Sequence, residues 1–451
     1  MSMFYPTDYG AVADGEALHT EAIQRCIDAC HGAGGGTVVL PTGVLVTGTL
    51  ILKSNVQLEI PAGAVLRASA DLAQFPSVAS RYPSYDGEYV THKALIRTED
   101  AEKVSITGLG TIDGGGDAWV DGPYGMPSFS LRPRILYFRG CRRVRVRDVT
   151  LRNAASWVQT YQDCRDVGLC GITVESRENP DIEAERYAKV PGRNTDGLDI
   201  VDCQSVTVSD CRITTGDDGI CLKSYAPDGV CRDIAITNCI VSTNASGIKI
   251  GTETSGAITD VVISNCVVHD TRCDGIAVMT VDGALVERIS ISGITLRNIK
   301  GAPIYIRCGA RGRVYRQGAV ARAGILRDVR ISNVQGAGLS AAYASSITGL
   351  PGQPVEGVFL QGVNLEAEGG FESVPAGPGP DVAAAYPGGK AFGPLPAYGF
   401  YVRHARDIAF EQVSVRTRLP DARPMILVND RPPENGRTLC APLVPGTERA
   451  G

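Results

Sequence analysis

Between Thr37 and about residue 417 the chain repeats one phrase: a short run of alternating apolar and polar residues, a polar corner, and a second short apolar run. Arg145-Val146-Arg147-Asp148-Val149-Thr150-Leu151 is one copy, and Asp166-Val167-Gly168-Leu169-Cys170-Gly171-Ile172-Thr173-Val174 is the next. Others are Ser205-Val206-Thr207-Val208-Ser209-Asp210-Cys211-Arg212-Ile213, Ile234-Ala235-Ile236-Thr237-Asn238-Cys239-Ile240-Val241 and Val261-Val262-Ile263-Ser264-Asn265-Cys266-Val267-Val268. Weaker copies follow near 288–296, 327–334, 357–365 and 407–415. Alternation with period two is the mark of a strand with one buried face. Strand, turn and strand recurring at intervals above roughly 20 residues predict a solenoid of stacked coils. Before Thr37 the period changes. Apolar residues at 22, 23, 26, 27, 29 and 30 lie on one face of a helix, which Gly32 and Gly34-Gly35-Gly36 end. A solenoid needs such an end piece, because its first coil otherwise exposes the core.

The predicted fold is therefore all-β: a single-domain right-handed parallel β-helix with a short N-terminal capping helix. Its expected parts are a cap over residues 1–36, the β-helix over 37–417 with groove-forming insertions, and a Pro-rich closing segment or tail over 418–451. The insertions break the period at about 75–93, 114–133, 176–193, 309–324 and 366–397. In a solenoid such stretches map to loops that often wall a binding face.

Composition narrows the function. A net charge of −5 argues against a general nucleic-acid binder, which needs a basic surface. No apolar run reaches the roughly 18 residues of a membrane helix, and the start Met1-Ser2-Met3-Phe4-Tyr5-Pro6 lacks the basic and apolar regions of a signal peptide. The 14 Cys form no CxxC pairs, so a zinc site is not expected. Cys211, Cys239 and Cys266 recur 28 and 27 positions apart and read as buried thiols stacked along a core, with one or two disulfides left open. Arg143, Arg145 and Arg147 alternate with Val144 and Val146 and should point outward to solvent.

The chemistry concentrates in two acidic clusters, Asn194-Thr195-Asp196-Gly197 and Gly216-Asp217-Asp218-Gly219. Asp196 and Asp217 stand 21 positions apart, about one coil. Coils stack at roughly 4.8 Å, so three carboxylates should crowd one patch. Like charges that close push pKa values apart, which allows an acid and a base in one site. A lone Asp-Asp-Gly would more often be a turn; two clusters one coil apart favour catalysis.

These motifs resemble those of glycoside hydrolase family 28, the polygalacturonase and rhamnogalacturonan hydrolase family of β-helix enzymes. Asn194-Thr195-Asp196-Gly197-Leu198-Asp199-Ile200 and Gly216-Asp217-Asp218-Gly219-Ile220-Cys221-Leu222-Lys223-Ser224 match its two acidic motifs in order and spacing. Asp8-Tyr9-Gly10-Ala11-Val12-Ala13-Asp14-Gly15 and Gly34-Gly35-Gly36-Thr37-Val38-Val39-Leu40-Pro41 are similar to the entry of many pectin-active β-helices. The resemblance implies an inverting hydrolase with Asp217 as general acid, Asp196 and Asp218 activating water, Asn194 beside them, and no metal or cofactor.

Two coils depart from the polygalacturonase pattern. Ser246 stands where that group has a His, and Ala277 and Met279 stand where it has the Arg and Lys that grip the sugar carboxylate. Rhamnogalacturonan hydrolases lack the same residues. Lys249 and Arg307 are the candidate replacement cations, with Tyr305 beside Arg307, and Trp157 is the candidate aromatic near the site. Arg132 and Arg134 follow an insertion and are groove candidates, and Tyr398, Tyr401, Arg403 and His404 form a late cluster expected to wall the groove. The expected partner is an acidic plant cell-wall polysaccharide or its oligosaccharides, with no nucleic acid and no membrane, and the protein is expected to be a monomer. A secreted or periplasmic location fits that substrate, with a cytoplasmic one left open. Two competing readings are a polysaccharide lyase on the same fold, with Ca²⁺ held by the Asp trio, and a non-catalytic glycan-binding β-helix.

Overall fold

The computed structural model describes residues 2–77, 93–120, 131–177, 194–315, 318–375 and 383–428. The expected tail beyond Val428, much of the insertions at 75–93, 114–133 and 176–193, and residues 376–382 of the insertion at 366–397 lie outside the described residues.

The chain winds as a right-handed parallel β-helix. Among the described residues, twelve strands, from Leu50–Ile51 to Ile426–Val428, form one parallel sheet, one strand per coil in chain order, and the remaining faces of the coil join into a second sheet of 23 strands. Stacking in register turns sequence periodicity into columns. Val144 and Val146 lie over Val167 and Leu169, then Val206 and Val208, Ile234 and Ile236, Val261 and Ile263, and Ile289 and Ile291. All are buried in one continuous core. A register slip of one residue would turn every such column to solvent, so the alternation itself specifies the pairing. Arg143, Arg145 and Arg147 are exposed, as their alternation requires.

The polar corners have a backbone reason. Asp148, Gly171, Asp210, Asn238, Asn265, Gly293, Asn333 and Gly362 all have φ between 53° and 66°. Asp, Asn and Gly enter this left-handed region most readily, which explains the recurring Asp-Cys and Asn-Cys pairs. The cysteines that follow these corners, Cys211, Cys239 and Cys266, are buried, and every described cysteine is a free thiol.

The helix Thr20–Gly32 buries Ala22, Ile23, Cys26, Ile27 and Cys30 against the first coils. Its flanks do more than cover. Met3–Phe4 pairs with Gly36–Val39, and Asp14–Leu18 pairs with Gly43–Thr47, so the segment before Thr37 also adds strands to the sheet.

Candidate active site

Along the twelve-stranded sheet, each coil turns into its strand through a tight corner. Leu198, Ile220, Ile248, Ile276 and Ile304 form one in-register column. Gly197, Gly219, Gly247 and Gly275 precede the first four. A Cβ on Gly219 would meet Val241 Cγ1 at 2.3 Å and the Gly247 carbonyl at 2.5 Å, so the corners stack only because these residues are glycine. The residues before the glycines, Asp196, Asp218, Ser246 and Asp274, therefore recur one coil apart. Backbone N–H groups of Gly197, Gly219 and Gly247 donate to the carbonyls of Asp218, Ser246 and Asp274, each at 2.9 Å.

Asp196, Asp217 and Asp218 each bring a carboxylate oxygen within 4.8 Å of the other two. Their environments differ. Lys249 Nζ donates to Asp218 Oδ2 at 2.6 Å, and the Ser246 N–H donates to Oδ1 at 3.0 Å. Lys223 Nζ lies 3.4 Å from Asp196 Oδ2. Burial raises Asp196 to about 6, with Lys223 pulling it down and the Asp218 charge pushing it up. Asp217 accepts the Asp218 N–H at 2.8 Å through Oδ1. Burial, then the Asp196 and Asp218 charges, push its carboxyl well above the usual range. One protonated acid beside two lysine-bound carboxylates is a division of labour suited to acid–base chemistry.

Lys223 is a hub that sequence reasoning quoted without giving it a role. It also reaches Glu253 at 3.0 Å and Asp199 at 3.3 Å, and it sits 4.3 Å above the Trp157 ring. Burial disfavours the Glu253 charge, but Lys223, then Arg311 and Lys249, outweigh it and hold Glu253 at about 2. Both cationic groups are buried: Lys223 is 3 % exposed and Lys249 4 %. Buried ammonium groups persist only when paired in this way.

The other expected site residues divide. Asn194, two residues before Asp196 in the chain, accepts from Arg132 at 3.0 Å and is not among the residues lining the pocket, while Ser246 contributes its backbone N–H and lines it. Trp157, the candidate aromatic near the site, is buried, with Arg134 4.6 Å from its ring and Lys223 over it, so it serves as a platform for the cations. Arg307 and Tyr305 are not at the pocket. Tyr305 lies in a buried apolar cluster with Phe392 and Leu395, and so does Tyr401 from the late aromatic cluster. Arg307 is buried 5.2 Å from the Phe392 ring and donates to the Gly349 carbonyl at 3.1 Å. The reason is a segment, 383–397, that lies over this part of the sheet.

The pocket, about 520 Å³, has Asp217, Asp218, Ser246 and Lys249 on one side and Tyr386 and Lys390 on the other. Tyr386 and Asp274 were missed from the sequence. Asp274 was accessible in principle, since Asp274-Gly275 repeats the Asp-Gly of the two acidic clusters. The trio's oxygens are compact enough to hold a cation. Two lysine ammonium groups already contact these carboxylates, whereas Ca²⁺ seeks six to eight oxygens at roughly 2.3–2.6 Å. The residues fit a lysine-compensated acid site better than a calcium cage.

Residues 38–376 match the family described as "Glycosyl hydrolases family 28". A "Probable polygalacturonase" of Vitis vinifera is 27 % identical over 391 residues, spanning 82 % of this chain and 75 % of that protein. Among solved structures, the "Family 28 Exopolygalacturonase" of Yersinia enterocolitica has a TM-score of 0.67 at 18 % identity, covering 96 % of this chain and 79 % of that one. The "hyperthermoactive Exopolygalacturonase from Thermotoga maritima" has a TM-score of 0.65 at 22 % identity, covering 81 % and 87 %. With the coil geometry and the acidic trio, the match over most of its length establishes that this chain is a glycosyl hydrolase and belongs to family 28.

Proposed function

We propose that the protein hydrolyses glycosidic bonds in a galacturonate-containing pectic polysaccharide or its oligosaccharides, with inversion at the anomeric carbon. The observation that carries the reading is the electrostatic division of the trio. Asp217, with its pKa raised by burial and two like charges, gives its proton to the leaving oxygen. Asp196 and Asp218, each contacted by a lysine, position a water and take its proton as the water oxygen bonds to the anomeric carbon. The relative from Vitis vinifera carries the name polygalacturonase, which supports galacturonan as the substrate. The absent Arg-Lys pair at Ala277 and Met279 keeps a rhamnogalacturonan backbone as the second candidate. Such polymers lie outside cells, so we place the enzyme in a secreted or periplasmic setting, acting as a monomer.

The closest approach of the carboxylate oxygens is shorter than the roughly 6.5–9.5 Å usual for inverting pairs. Stereochemistry is therefore the sharp test. Proton NMR of the first reducing-end anomer formed from oligogalacturonides should show the configuration opposite to that of the cleaved bond. Retention would make one of the Asp residues a nucleophile and overturn the assignment. Product analysis on homogalacturonan and rhamnogalacturonan backbone separates the two substrates.

A further inference from the structure

Ala277 and Met279 are each 1 % exposed. They belong to an apolar cluster on the outer face of the sheet, separate from the main core, with Ala302, Tyr305, Phe392 and Leu395. The cluster exists because residues 383–397 cross this face. The crossing is pinned at several points. The Gly389 N–H donates to Asp274 Oδ2 at 3.0 Å, and the Ala302 N–H shares that carboxyl through Oδ1 at 2.8 Å. The Tyr386 hydroxyl lies 3.0 Å from Thr252 Oγ1 and accepts from Lys249 at 3.3 Å. The Ala383 carbonyl accepts from the Ala310 N–H at 2.8 Å. A Cβ on Gly389 would lie 2.5 Å from both Asp274 Oδ1 and Ala302 Cβ, so the crossing requires glycine there.

This geometry explains why the two strand positions are apolar. An Arg or Lys at 277 would be packed beneath the crossing segment at a high desolvation cost, and Met279, which borders the pocket, is itself almost wholly covered there. The segment brings its own chemistry to the same pocket. Lys390 is exposed and lines it, and Arg272, half-buried on the turn before Asp274, lines it from the coil. Tyr386 is 61 % exposed, a large aromatic face on the same pocket, although its hydroxyl is anchored. Lys249 also lines the pocket, but its ammonium is bonded to Asp218.

We infer that residues 383–391 form a relocated uronate subsite, in which Lys390 and Arg272 receive the carboxylate of a sugar next to the cleaved bond and Tyr386 covers the sugar face. The anion grip thus comes from an inserted segment and a turn rather than from the strand. This inference rests on the galacturonan reading.

The test compares wild type with Lys390→Ala, Lys390→Glu and Gly389→Ala on a short oligogalacturonide and on its methyl ester, with circular dichroism as a folding check. Wild type should favour the free acid. Lys390→Ala should raise KM for the acid about tenfold with little change in kcat and little change on the ester, and Lys390→Glu should raise it further. Gly389→Ala should weaken the acid through displacement of the segment. Equal effects of Lys390→Ala on acid and ester, or none on either, would overturn the subsite. If wild type hydrolyses neither substrate, the galacturonan reading fails. Calorimetry of the same oligogalacturonide then still judges the subsite, which requires binding by wild type and about tenfold weaker binding by Lys390→Ala.

Discussion

Replacing Asp196 by Asn should make the protein inactive yet more stable at neutral pH. Asp196 is 3 % exposed, and burial raises its carboxyl to about 6, with Lys223 only partly relieving the penalty. An unfolded Asp titrates near ~3.9, so the shift is about two units, or roughly 3 kcal/mol at about 1.36 kcal/mol per unit. The direction follows from linkage. The folded state holds this proton more tightly, so the contribution to stability is fully present below pH ~3.9 and is lost as pH rises through about 6. Above that pH the ionised Asp196 costs the fold up to about 3 kcal/mol. Asn carries no charge at any pH and escapes this cost, while Lys223 keeps Glu253 and Asp199 as partners. Thermal midpoints of wild type and Asp196→Asn at pH 7.5 and pH 4 provide the assay. The variant should lead at pH 7.5, and the lead should shrink or vanish at pH 4. A variant less stable at pH 7.5, or a difference identical at both values, would refute the reasoning. Activity should fall by several orders of magnitude, because Asn cannot take a proton from water.

Asp217→Asn should lower kcat by at least a thousandfold while leaving oligosaccharide binding within a few-fold, as calorimetry would register. The pH–rate profile should be bell-shaped with an acid limb near pH 6, set by Asp196 losing its proton, and a limb at higher pH, set by Asp217 losing its own; a rate that keeps rising below pH 5 would contradict this assignment. Lys223→Met should leave Asp196, Asp199 and Glu253 without their shared cation, which costs about 3–5 kcal/mol by chemical denaturation and moves the acid limb to higher pH. EDTA should leave turnover unchanged and the products should lack the ultraviolet absorbance of an unsaturated uronate; loss of activity with chelator together with that absorbance would favour a lyase.

The coil was legible because each turn writes the same local instructions: Val-x-Val for an inward strand face, then Asp, Asn or Gly for a left-handed corner. The trio was legible for the same reason, since residues one coil apart become neighbours once the strands stack, and Lys249 follows Asp218 by that rule. Arg307 and Tyr305 obey the rule too, yet they are covered. What covers them arrives about 80 positions later, in a stretch with no period to read. Tyr386 and Gly389 lie in that stretch, and their positions depend on three-dimensional contacts with Thr252 and Asp274. Lys223 was visible but ambiguous, because a lysine on a strand usually faces water; only the surrounding Asp196, Asp199, Glu253 and Trp157 reveal it as a buried counter-charge.

Solenoids usually tolerate the gain or loss of a repeat, because each coil touches only its neighbours. The crossing segment removes that freedom here. It is anchored beside Thr252 and Asp274 but enters the chain after Gly369, several coils along. Duplicating a coil between residue 280 and the segment would move its starting point about 4.8 Å further from the acidic trio. The number of coils between Asp218 and Tyr386 is therefore a fixed length, a ruler built into the gene, and lineages that share this segment should vary in repeat number only outside that interval.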